Sequence, residues 1–175
     1  MDFKHTILAI TAISSLVFTA ANASNERLAF SAPISIKSNI LGEPKGEAIV
    51  KTALQYLGTK YRSGHSGPGG FDCSGLTSYV YKLNNIQITR SSRSQFSEGI
   101  PINSISNLKK GDLVFFGGSR SSSTVGHVGI VTDVADNGQS FKFIHASRTG
   151  VQVDSYSQGY YSRRYIGARR ILDDK

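Results

Sequence analysis

The sequence predicts an α+β domain, with N-terminal helices packed on a C-terminal antiparallel sheet or small barrel. Three observations lead there. Before about residue 100 the apolar residues recur at helical spacing. After Gly111 they fall into short runs separated by turn residues. The two patterns do not interleave. Helices first and strands second favour a segregated α+β layout over repeated βαβ units.

The elements follow in order. Lys4 and His5 precede an apolar run from Thr6 to Ala20, and Ala21-Asn22-Ala23 fits a small-x-small cleavage site. The run is shorter than the ~20 residues of a membrane span. Residues 1–23 are therefore expected to be an export signal, with a mature start at Ser24. A bacterial lipoprotein would need a cysteine at the cleavage site, so a lipid anchor is not expected; a periplasmic, extracellular or wall-associated protein is. Residues 24–44, broken by Pro33, Gly42 and Pro44, read as a flexible lead-in. One folded domain is expected over residues 45–172, long enough to hold its own core. Within it, Ile49, Val50, Ala53, Leu54 and Leu57 form a helical stripe over Glu47–Leu57, stopped by Gly58. A glycine-rich loop runs from Thr59 to Gly70. A second helix starts at Asp72-Cys73 and carries Leu76, Val80 and Leu83. A third, short helix is expected over Ser91–Glu98. Strands are expected at Leu113–Phe116, at Val128–Val131 before the turn Asp136-Asn137-Gly138, at Phe141–His145, around Val151–Val153, and at Tyr165–Ile171. Val151 and Val153 alternate with Gln152 and Asp154.

The chain has 20 Lys and Arg against 12 Asp and Glu, a formal charge of +8. A basic exported protein is attracted to anionic wall polymers or membrane surfaces. The basic residues are scattered except at Arg163-Arg164 and Arg169-Arg170, and no nucleic-acid motif accompanies them, so nucleic acid is not an expected partner. Nothing in the sequence fixes the oligomeric state.

The single cysteine carries the chemistry. Alone in an exported chain, Cys73 has no partner for an internal disulfide. Free cysteines are most often small buried hydrophobes. Here a glycine loop and an Asp72 N-cap deliver the thiol to a helix start, where unpaired N–H groups and the helix dipole favour the thiolate. A cysteine nucleophile needs a base and a group to orient that base. His127 begins one strand and His145 ends the next, so a hairpin brings them to one edge of the sheet. A zinc site from Cys73, His127 and His145 is the rival reading, without the close ligand spacing of common zinc motifs.

The runs FDCSGL, GDLVFF, GHVGI, FIHAS and YIGARRI, in this order, resemble the NlpC-type cell-wall peptidases, papain-like cysteine peptidases of peptidoglycan. The resemblance covers about Glu47–Ile171. It implies a catalytic domain over residues 45–172 with Cys73 as nucleophile, His127 as general base and acid, and His145 as the orienting residue. It implies that Tyr61 binds substrate or stabilises the oxyanion together with the Cys73 N–H, and that Asp72 and Ser74 flank the nucleophile on the substrate side. In RSSRSQ, Ser92 and Arg93 match a groove-lining segment able to meet a substrate carboxylate. The sequence departs from the family after Tyr61, where Ser63 and Gly64-His65 stand in place of an aromatic residue and paired glycines; His65 is either a substrate contact or a plain loop residue. The implied activity is hydrolysis of an amide in peptidoglycan stem peptides, between γ-D-glutamate and the diamino acid, with no metal or cofactor. The alternatives are a wall-binding module without catalysis, or an amidase or acyltransferase of the same fold.

Overall fold

A computed structural model describes residues 43–119 and 121–172. The expected export signal and most of the lead-in lie outside the described residues. Helix α1 spans Lys45–Leu54. A small hairpin, β1 (Ser66–Gly67) with β2 (Gly70–Phe71), leads into α2 at Cys73–Leu83. A single turn, α3, covers Ser92–Gln95. Strands β3 (Ile100–Ile102), β4 (Leu113–Gly117), β5 (Val125–Val134), β6 (Phe141–Ser147) and β7 (Gly150–Ser155) follow, then a one-turn α4 (Gly159–Ser162) and β8 (Tyr165–Arg170). Six strands form one sheet in the order β3-β8-β4-β5-β6-β7, every pairing antiparallel. The domain is α+β as expected, and its sheet is open, with β3 and β7 at the edges, rather than a closed barrel.

The sheet separates two apolar layers. Ile49, Ala53, Leu76 and Val80 of α1 and α2 pack with Phe115, Val128, Ile130 and Ile144 on one side. Val114, Phe116, Val131, Phe141 and Phe143 form the other layer. Strands apolar on both faces explain why LVFF shows no alternation: β4 is central and buried throughout. Tyr81 joins the layers to the loops by donating its hydroxyl to the Gly111 carbonyl.

Three of the expected elements differ in extent, and the β1–β2 hairpin, β3 and α4 fall where the sequence led to no helix or strand being expected. Helix α1 ends three residues early because the chain must turn at Gly58, whose φ of 77° suits glycine; there the Gly58 N–H donates to Val151 O at 2.8 Å. The third helix shrinks to one turn, capped by Ser91. Strand β5 is longer at both ends than Val128–Val131 because it pairs with both β4 and β6.

Candidate active site

Helix α2 starts at Cys73 because Asp72 caps it: the Asp72 carboxylate accepts from the Gly75 N–H at 2.7 Å. The same carboxylate accepts from the Gly64 N–H at 2.8 Å and pairs with Arg90 at 2.7 Å. Phe71, fully buried, fixes the approach to the helix. The half-buried thiol of Cys73 thus sits where α2 packs on β5.

On the sheet, the Ile130–Ile144 pairing sets the register of β5 and β6. Continuing that register places Gly129 opposite His145, with His127 its diagonal neighbour on the same face. A Cβ on Gly129 would come within 2.7 Å of the Phe143 ring and 3.2 Å of the His145 Cβ, so a bare backbone here is what lets Phe143 and His145 sit this close to β5. His127 Nε2 lies 2.8 Å from His145 Nδ1, with the rings perpendicular. His145 Nε2 lies 2.8 Å from the Asp154 carboxylate. The same carboxylate oxygen accepts from the Tyr161 hydroxyl at 2.8 Å and the Gln152 amide at 2.8 Å.

These distances fix the protons. Burial alone would raise the pKa of Asp154, but bonds from Gln152, His145 and Tyr161 hold it below the ordinary carboxylate range. Asp154 is therefore an ionised acceptor, and His145 Nε2 bears a hydrogen. Burial outweighs the Asp154 bond and lowers the pKa of His145, so the ring is neutral and its Nδ1 holds a lone pair. His127 Nε2 must then donate to it. Burial, then the neighbouring His145, push the pKa of His127 down to about 3, against the opposing pull of Asp154. The neutral His127 ring keeps its Nδ1 lone pair free for a proton. Both nitrogens of His145 are engaged within this chain, which leaves the three-ligand zinc reading one ligand short.

The thiol departs from the sequence expectation. Burial first, and the negative charge of Asp72 second, raise the Cys73 pKa; backbone bonds from Val128, Ser74 and Cys73 itself oppose them without prevailing. The resting pair is a neutral thiol beside a neutral imidazole, not the thiolate that a helix start alone suggests. Asp72→Asn keeps an N-cap side chain and removes the charge. Its Cys73 thiol is expected to titrate at lower pH than that of the unaltered protein. The pH profile of alkylation by iodoacetamide measures this; an unchanged or higher midpoint would contradict the assignment.

A cleft of about 370 Å³ is lined by Tyr61, Cys73, His127, His145, Arg148 and Tyr160, among others, with Gly117, Gly118 and Gly126 as a bare backbone wall. Of the residues singled out in the sequence, Tyr61, Cys73, His127 and His145 come together here. Burial, then Cys73 and Asp72, raise the Tyr61 pKa, so its phenol remains a hydrogen-bond donor. Asp72, Ser74, Ser92 and Arg93 do not line this cleft. Asp72 and Ser74 face Arg90, which donates to the Ser74 hydroxyl at 3.1 Å. Ser92 and Arg93 stand on α3, and Arg93 Nε donates to Val125 O at 3.2 Å. His65 bonds the Ser63 carbonyl of its own loop.

Asp154, Gln152 and Tyr161 are absent from the sequence-derived site. The alternation of Gln152 and Asp154 with Val151 and Val153 was a usable signal for their shared face. Tyr161 stands on a single helical turn that no periodicity reveals.

Residues 58–170 match the sequence model of the NlpC/P60 family. The chain is 43% identical over 128 residues to murein DD-endopeptidase MepH of Escherichia coli K12, across 70% of this chain and 44% of that protein. It is 35% identical over 151 residues to gamma-DL-glutamyl hydrolase of Bacillus subtilis strain 168, across 84% and 35% of the two chains. A crystal structure of a NlpC/P60 family protein from Bacillus cereus superposes with a TM-score of 0.65 at 32% identity, across 74% of this chain and 41% of that one. The chain spans less than half the length of these three relatives.

Proposed function

The chain belongs to the NlpC/P60 family, and within it we propose an exported cysteine peptidase that hydrolyses an amide in peptidoglycan stem peptides. The observation that carries this reading is the hydrogen-bonded series His127–His145–Asp154 beside the only thiol in the chain. Its tautomers leave one lone pair, on His127 Nδ1, free to act as base.

The chemistry follows. His127 Nδ1 takes the Cys73 proton as the sulfur attacks the carbonyl carbon, forming the S–C bond. The oxyanion accepts from the Cys73 N–H at the first turn of α2 and from the Tyr61 hydroxyl. The imidazolium on His127 is stabilised by donating to His145, which Asp154 holds in place. The C–N bond then breaks as His127 returns the proton to the leaving amine. Water, deprotonated by His127, cleaves the thioester and releases the acid.

The bond proposed first is γ-D-glutamyl to diamino acid. The kinship with a DD-endopeptidase favours a second candidate, the D,D-linkage of a peptide cross-link. An excess of basic residues, +8 in formal charge, would add attraction to anionic wall polymers after export. The test is digestion of purified sacculi and mass spectrometry of the muropeptides. New termini are expected, and their masses identify the bond; an unchanged muropeptide profile would remove the peptidase reading and favour a wall-binding module.

A further inference from the structure

Arg148 is the single formally charged side chain among the described residues lining the cleft, apart from the titratable histidines, thiol and phenols. It is exposed and has no carboxylate within ion-pair distance among the described residues. Among the described residues, two neighbouring arginines are engaged: Arg93 on Val125 O, and Arg164 on Gly118 O at 2.7 Å and over the Tyr160 ring.

The position of Arg148 is built rather than incidental. It lies in the turn from β6 to β7, three residues after His145. Ser147 ties that turn together by donating to Gly150 O at 3.0 Å and accepting from the Thr149 N–H at 3.2 Å. The far side of the turn is joined to the loop leading to Tyr61: Gly58 N–H donates to Val151 O, and Val151 N–H to Thr59 O at 2.9 Å. Gly150, at φ 122°, leaves its missing Cβ 3.0 Å from Thr59 O, so a side chain there would separate the two segments. The turn is therefore tied to the Tyr61 loop, and the Arg148 charge reaches the Tyr61 phenol.

We propose that Arg148 is a specificity-determining residue that binds a free substrate carboxylate beside the scissile amide, with Tyr61 on the same side of the cleft. The inference rests on the peptidase reading and deepens it. A guanidinium offers a planar fork of donors matched to a carboxylate. A cleft with a cation and no acidic lining among the described residues favours an anionic substrate over a neutral one. In a stem peptide that carboxylate is either the α-carboxylate of the γ-linked D-glutamate or a carboxylate of the diamino acid. The role that the sequence suggested for Arg93 is thereby assigned to Arg148.

Three synthetic stem tetrapeptides test it: one with free carboxylates, one amidated at the D-glutamate α-carboxylate, one amidated at the diamino acid. Cys73→Ala protein measures binding by calorimetry, and unaltered protein measures kcat and KM. The free peptide is expected to bind about 10- to 100-fold more tightly than one of the amidated forms, with the difference in kcat/KM carried mainly by KM. The amidation that removes the gain identifies the carboxylate. R148Q should abolish the discrimination and R148K should keep part of it. Cys73-dependent cleavage with discrimination intact in R148Q overturns this inference and leaves the peptidase reading standing. Failure to bind any of the three peptides overturns this inference, and the sacculus digestion decides the peptidase reading separately.

Discussion

Sacculi treated with Cys73→Ala are expected to give the muropeptide profile of untreated walls, while the unaltered protein releases new peptide termini. The loss should exceed about a thousandfold, because no other side chain can form the acyl intermediate. The chain contains no second cysteine, and the hydroxyl of Tyr61 remains protonated. The substitution removes one sulfur atom from a half-buried position at a helix start, and alanine is well tolerated there. Thermal unfolding should therefore stay within a few degrees of the unaltered protein. Retained fold with lost digestion isolates the chemistry from stability. Equal products from both proteins would overturn a thiol mechanism. Cys73→Ser adds a second check: a hydroxyl of similar size is far less acidic, so most of the activity should disappear there too.

The part of this site read from the sequence depended on local rules. Asp72 announced a helix start through capping chemistry, and Cys73 came with it. His127 and His145 could be brought together because consecutive strands with a tight turn form a hairpin, whose two ends are fixed by connectivity alone. What was not legible depended on packing between distant segments. Strand β8 enters the sheet between β3 and β4, a choice that no residue in Tyr165–Ile171 encodes locally. Asp154 reaches His145 only once the β6–β7 register is known, and that register is set by the turn at Arg148-Thr149. Arg93 and Arg148 are indistinguishable as sequence; their separation into a backbone-bonded arginine and a cleft-lining one is purely tertiary.

The thiol shows the same division. The helix-start argument is correct about direction for the helix alone, and backbone bonds do favour the thiolate. Burial beneath the packed sheet and the charge on the adjacent cap are stronger, and neither follows from the spacing of residues. The cap that builds the helix also disfavours the anion. This makes the base indispensable, since the thiol does not ionise by itself near neutral pH.

His127→Gln is accordingly expected to lower kcat/KM by about three to four orders of magnitude at neutral pH. Glutamine keeps an N–H able to donate to His145 Nδ1, so the His145–Asp154 pair should hold its place, but it offers no basic nitrogen. The remaining rate should follow the fraction of thiolate. It should climb about tenfold per pH unit up to the raised pKa of Cys73, above its ordinary value of 9.0. The unaltered protein should behave differently. The His127 pKa lies below the ordinary imidazole value, at about 3, so its base form persists as pH falls through 6.5. Its kcat/KM should therefore hold below pH 6.5 for as long as the fold survives. Stability sets that lower limit. The unfolded chain binds protons at His127 and His145 from about pH 6.5 downward, while the folded chain does not. Unfolding thus gains up to about 1.4 kcal/mol per pH unit for each histidine between its unfolded and folded pKa. Circular dichroism recorded beside the rate profile separates the two limits. An acid limb centred near 6.5 in fully folded protein, or a His127→Gln profile parallel to the unaltered one, would remove His127 as the base.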